Sequence, residues 1–168
     1  MKRKHSVAMW SGLILFSLTL MAGYVTAKEL RSDDNKYLCS ETNPGSMCNA
    51  STRCGSSSTP CLADVKRTSD SASVTPSISD AKANAPFCIK VGTTVTWQST
   101  SKKTGFVLDF GDSSPFDTPD GVIIGGSDRS ISVVARRPGC FKYSVGACVA
   151  GAIYGMCDSK EAEIVVTK

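Results

Sequence analysis

The sequence predicts an all-β protein whose main body is a small antiparallel Greek-key β-sandwich over residues 86–168. Three observations predict it. Seven short runs rich in β-branched and aromatic residues follow one another: "FCIKV", "TVTWQS", "GFVLDF", "GVII", "RSISVVA", "CFKYSV" and "AEIVV". Within them apolar and polar residues alternate with a period of two, the mark of a strand with one face in a core. Gly, Pro and Asp stand between them as turn signals.

The first runs show the alternation best. In "TVTWQS" Val95 and Trp97 share one face, and Thr94, Thr96 and Gln98 share the other. In "CFKYSV" Phe141, Tyr143 and Val145 alternate with Lys142 and Ser144. No helix is signalled: "SKEAE" (159–163) opens like a capping box but runs directly into a strand. Some eighty residues make a small core, for which covalent cross-links are a useful supplement.

Ahead of the sandwich the chain divides in two. Residues 1–27 have the form of a signal peptide: Lys2, Arg3 and Lys4, an apolar core from Ser11 to Gly23, and the A-x-A-like "VTA" ending at Ala27. The apolar run is short for a membrane span. Export to a secreted, periplasmic or extracellular location is expected, with no stable span after cleavage; an uncleaved anchor is the alternative. Residues 28–85 are a Cys/Ser/Thr-rich segment in which Tyr37 is the single aromatic residue, expected to be an irregular arm or linker.

All eight cysteines lie after residue 27: Cys39, Cys48, Cys54, Cys61, Cys88, Cys140, Cys148 and Cys157. An even number in an exported chain predicts disulfides. No CxxC pair occurs, so a zinc ribbon or a thioredoxin-like motif finds no support. Within the sandwich Cys88, Cys140, Cys148 and Cys157 allow three pairings. The one expected here joins Cys148 to Cys157 and Cys88 to Cys140.

Charge and histidine content exclude more. The net charge is +4, but Lys2, Arg3 and Lys4 account for most of it, leaving 16 basic against 15 acidic residues after Ala27. No basic patch then argues for nucleic acid. The single histidine is His5. Without it the mature chain has no Ser-His or Cys-His nucleophile pair and no histidine-ligated zinc. "DFGDSSPFDTPDG" places Asp109, Asp112, Asp117 and Asp120 in thirteen residues. Such a loop could offer oxygen ligands to Ca²⁺, but its spacing is not that of an EF-hand, and Asp, Ser, Pro and Gly are ordinary turn residues.

Three stretches together resemble the cupredoxins. "KVGTTVTWQS" (Lys90–Ser99) is similar to their second strand, "RRPGCFKYSV" (Arg136–Val145) to the strand leading to the copper cysteine, and "GMCDSKEAEIVV" (Gly155–Val166) to their closing strand. The resemblance implies a Greek-key sandwich and a type 1 copper site made of a cysteine, two histidines and an axial methionine. Carried over by position, the copper cysteine falls on Val145 and the following histidine on Cys148. The first histidine falls within "SKKTGFV", which has none. Met156 keeps its Gly-Met context. The resemblance thus implies a copper-free member of the fold, with a Cu(I) site at Cys148 and Met156 as the alternative. "FVLDFGDSSP" also resembles PKD domains, another extracellular β-sandwich and spacer.

The expected function is a secreted, disulfide-stabilised, non-catalytic binding or structural module. No metal or cofactor is expected, and its partner would be an extracellular protein or carbohydrate. A copper-binding or electron-transfer protein is the alternative. Paired carboxylates for acid/base work are not evident among Asp109, Asp112, Glu161 and Glu163.

Overall fold

The computed structural model describes residues 39, 43–126, 128–155 and 162–168. The signal-peptide reading of residues 1–27 therefore lies outside the described residues, as do Met156, Cys157 and Glu161. Ten strands follow in chain order: β1 (Cys61–Thr68), β2 (Ser71–Pro76), β3 (Phe87–Lys90), β4 (Thr94–Gln98), β5 (Gly105–Asp109), β6 (Val122–Gly126), β7 (Ile131–Val134), β8 (Gly139–Val149), β9 (Ala152–Tyr154) and β10 (Ala162–Thr167). The only helical turns among the described residues are short 3-10 segments, such as Pro44–Met47. No helix among them is long and apolar enough to cross a membrane.

The strands form two sheets, in the orders β2-β1-β4-β7 and β3-β10-β8-β5-β6, with β9 added to β8 as a hairpin. Most neighbours are antiparallel, but β1 runs parallel to β4 and β3 parallel to β10. The sheets are therefore mixed, a correction to the purely antiparallel expectation. Periodicity reports which face a residue takes, and that is indifferent to the direction of the neighbouring strand.

The alternation behaves as expected. β4 and β5 each bury every second residue, placing Val95, Trp97, Phe106 and Leu108 between the sheets. Trp97 is the centre of the core. Its ring meets Phe87, Phe110, Phe116 and Tyr143 edge-on, at centroid distances of 5.6 to 6.4 Å, while Phe110 stacks on Tyr143 at 4.6 Å. Offset and edge-on pairs of this kind add to the apolar burial. The indole Nε1–H has no hydrogen-bond partner among the described residues.

The segment 28–85 departs from the irregular arm expected of it. Residues 61–76 supply two strands of the first sheet. In β1 Cys61, Ala63 and Val65 face inward, and in β2 Ala72 and Val74 join the core. The apolar members of the pattern are small and separated by Ser, Thr, Asp and Lys. Composition consequently reads as linker although the period of two is present. Thr68 and Ser71 pair across a two-residue turn in which Ser69 has φ 49°, as tight hairpins require.

Further upstream the chain adds to the edge of the second sheet. The Cys54 N–H donates to the Cys88 carbonyl at 2.8 Å, and the Cys88 N–H donates to the Thr52 carbonyl at 2.9 Å. The Pro44–Met47 turn packs on β10. Val165, in mid-strand on the sheet's outer side, is only 2% exposed. Its neighbours across the ladder are Cys88 and Cys140, and their disulfide partners, Cys48 and Cys39, bring the N-terminal segment to that face.

Three disulfides among the described residues hold this arrangement: Cys39–Cys140, Cys48–Cys88 and Cys54–Cys61. The expected Cys88–Cys140 bridge is corrected. Both residues flank Val165 of β10 from opposite sides, so they lie two inter-strand spacings apart, about 10 Å. A disulfide needs Cα atoms within about 7 Å. Each instead meets a cysteine of the N-terminal segment, at Cα–Cα distances of 5.5 Å.

Candidate functional site

The cupredoxin resemblance directs attention to the end of the sandwich where β8 leaves the sheet. Val145 occupies the position carried over from the copper cysteine. It is 3% exposed, faces into the core and lies opposite Leu108 of β5. A hydrocarbon side chain there offers no ligand. Three residues on, Cys148 takes the outer face, half-buried, with Gly105 across from it on one side and Ile153 on the other. Its Cβ lies 3.5 Å from the place where a Gly105 side chain would begin.

Cys148 is a free cysteine. The expected bridge from it would run to Cys157, which lies outside the described residues. After Cys148 the chain folds back. β8 and β9 make a hairpin through Ala150 and Gly151, both with positive φ, and this sets Ile153 directly opposite Cys148. Ile124 and Ile153 are 70% and 61% exposed on this part of the surface.

Several cations gather around the same end. Lys66, Arg67, Lys103 and Thr104 line a shallow depression of about 380 Å³ with Val149. Two of the cations have internal partners. Lys66 Nζ lies 3.0 Å from Asp64 Oδ2. The Arg67 guanidinium sits 3.9 Å above the Tyr154 ring, and its Nε–H donates to the Ser69 carbonyl at 2.9 Å. Asp64 also accepts the Thr100 N–H at 3.0 Å, which ties the loop after β4 to β1. Tyr154 is thereby a partner for Arg67. Sequence reading missed Arg67 and Asp64 because both come from the segment taken for a linker.

The type 1 copper donor set does not fit these residues. The position of the thiolate is Val145, and imidazole is lacking because the only histidine in the chain is His5. Soft thiolate and thioether ligands select Cu(I), and Cys148 is the one thiol described at this end.

Elsewhere, one group of metal-ligating side chains converges among the described residues: Cys39, Cys140 and Glu163, whose donor atoms lie within 4.8 Å of one another. Two of the three are joined to each other as a disulfide. The thiolate is the metal-binding form of cysteine, so this cluster is a cross-link beside a carboxylate. The four aspartates do not converge. Asp109 Oδ1 accepts the Gly111 N–H at 2.8 Å, a turn closed by its own side chain, and Arg137 Nε–H donates to the Ser114 carbonyl at 2.8 Å across the same loop. Asp109 thus serves the turn. Tyr143 is buried, and burial pushes its hydroxyl well above the usual tyrosine range.

Among solved structures, amicyanin and rusticyanin variants are similar to this chain. An oxidised amicyanin variant is 14% identical, with a TM-score of 0.38, over 69% of this chain and 93% of the amicyanin. A second amicyanin variant, in its reduced Cu(I) form, is 13% identical with a TM-score of 0.36, over 64% of this chain and 81% of its own. A rusticyanin variant is 16% identical with a TM-score of 0.36, over 73% and 90%. These are cupredoxins. No protein-family model matches the chain, and no curated protein is similar to it in sequence.

Proposed function

We propose that this protein is an exported, disulfide-stapled β-sandwich of cupredoxin-like fold that carries no type 1 copper and acts as a non-catalytic binding or structural module. The observation that carries the reading is the replacement at the ligand positions. Val145 stands in the core where the copper thiolate is expected, and Cys148 stands where a histidine is expected. Six cysteines committed to disulfides are consistent with an oxidising compartment. Its partner is an extracellular protein or carbohydrate, recognised by surface rather than by a metal.

The free thiol of Cys148 favours a second reading, a Cu(I) carrier that uses Cys148 and Met156. One experiment separates the two. The protein is loaded with Cu(I) under reducing and non-reducing conditions, desalted and weighed intact, with parallel thiol alkylation in denaturant. The module reading expects no retained copper, no intense thiolate-to-copper absorption after Cu(II) addition, and alkylation confined to Cys148 and Cys157. One equivalent of copper, lost on Cys148→Ser or Met156→Leu, overturns it.

A further inference from the structure

We propose that the cleft between the Cys54–Cys61 loop and the β3–β4 turn is a binding site for a small oxyanion, a sulfate or a carboxylate. Its volume is about 390 Å³, and Arg53, Ser57, Lys90, Val91 and Thr93 are among the residues that line it. That is room for an anionic group together with part of the molecule that bears it. The site lies away from the Cys148 end, and the proposal holds whether or not copper binds there.

Both walls are rigid before any ligand arrives. On one side, residues 52–54 are hydrogen-bonded along β3, which places Arg53 beside Cys88 and two residues short of Lys90. The following loop closes on itself. The Ser56 N–H donates to the Thr59 carbonyl at 2.8 Å, and Ser56 Oγ accepts the Thr59 N–H at 3.0 Å. The Cys54–Cys61 disulfide locks its base. Gly55 turns there with φ 68°, and a Cβ on it would meet Cys61 N at 2.7 Å. On the other side, the Thr93 N–H donates to the Lys90 carbonyl at 3.0 Å across Gly92, whose own N–H donates to the Ala135 carbonyl at 2.9 Å. Walls that need no reordering lower the entropic cost of binding.

Electrostatics then selects the ligand. Arg53 and Lys90 bring two positive charges to the cleft, and no Asp or Glu lines it. Neither side chain forms an ion pair or hydrogen bond among the described residues, in contrast to Lys66 and Arg67, which have Asp64, Ser69 and Tyr154. Thr93 is 1% exposed, yet its hydroxyl forms no hydrogen bond among the described residues. A planar guanidinium, a mobile ammonium and a hydroxyl donor converging on one cleft suit an oxygen-rich anion, which the arginine can engage in bidentate fashion.

The test is a ¹H–¹⁵N NMR titration of the disulfide-intact protein with sodium sulfate and, separately, sodium glucuronate, at constant ionic strength set with sodium chloride. The expected result is saturable shifts confined to the amides of Gly55–Ser57 and Gly92–Thr93. Affinity should fall at least about tenfold in Arg53→Ala and in Lys90→Ala, with partial retention in Arg53→Lys. An unchanged unfolding midpoint, followed by Trp97 fluorescence, certifies each variant. Tighter glucuronate assigns the site to carboxylates, and tighter sulfate assigns it to sulfate esters or free sulfate. Shifts that grow linearly without saturation, that persist in both alanine variants, or that centre on Lys66 and Lys103 overturn the proposal.

Discussion

Removing the Cys48–Cys88 bridge should cost clearly more stability than removing Cys54–Cys61, although both tie the same segment to the sandwich. The perturbation is a pair of double variants, Cys48→Ala with Cys88→Ala, and Cys54→Ala with Cys61→Ala. The first bridge spans a sequence separation of 40 and the second one of 7. In the loop-entropy description, closing them in the unfolded chain costs about 4 and about 2 kcal/mol at 25 °C, a gap of roughly 1.5 kcal/mol. The smaller loop lies inside the larger one and shortens it, which lowers the first figure by only about 0.1 kcal/mol because the dependence is logarithmic. Truncation works against the gap. Cys54 and Cys61 are both 0% exposed, whereas of the other pair only Cys88 is fully buried, at 2%. A larger cavity on the Cys54–Cys61 side narrows the difference without removing it. The assay is urea denaturation followed by Trp97 fluorescence, the indole being fully buried in the fold. A loss for the 48/88 variant no larger than that for 54/61 refutes the entropic argument. The single variant Cys48→Ala tests the connectivity itself. Alkylation should newly label the released Cys88, and a new label on Cys39 in its place would mean that the two sandwich cysteines are bonded to each other after all.

Two further outcomes follow from the core and its turns. Burial raises the Tyr143 hydroxyl pKa in the folded state above its ordinary value of 10.0; its stabilising contribution is complete below pH 10 and is lost progressively as pH rises beyond that. Stability measured from pH 9 to pH 11.5 should therefore fall more steeply in the natural protein than in Tyr143→Phe, and equal slopes would contradict the assignment. Gly121 has φ 65°, and a Cβ there would stand 1.9 Å from the Gly111 carbonyl oxygen, a backbone atom with nowhere to move. Gly121→Ala should lower stability by about 2 kcal/mol or more, read as a drop in Tm of several degrees; an unchanged Tm would show that the loop after β5 does not close on Gly121 in solution.

The strands from β3 to β8 were legible because their inward residues are large: Trp97, Phe106, Leu108, Phe141 and Tyr143 repeat every second position, and only a core rewards that pattern. β1 and β2 were illegible for the converse reason, since Cys61, Ala63 and Ala72 are buried yet small and their neighbours are the residues of linkers. The lack of imidazole ligands was legible earlier still. A chain whose one histidine is His5 cannot assemble two imidazole ligands in its body under any fold. Disulfide partners are different. They depend on which strands become neighbours, and the parallel insertion of β10 between β3 and β8 separates Cys88 from Cys140 while bringing each to a cysteine far away in sequence. The convergence of Arg53, Lys90 and Thr93 on one cleft has the same origin. Residue type and period are local properties that a sequence carries by itself, whereas strand order and the meeting of distant loops exist only once the whole chain has packed.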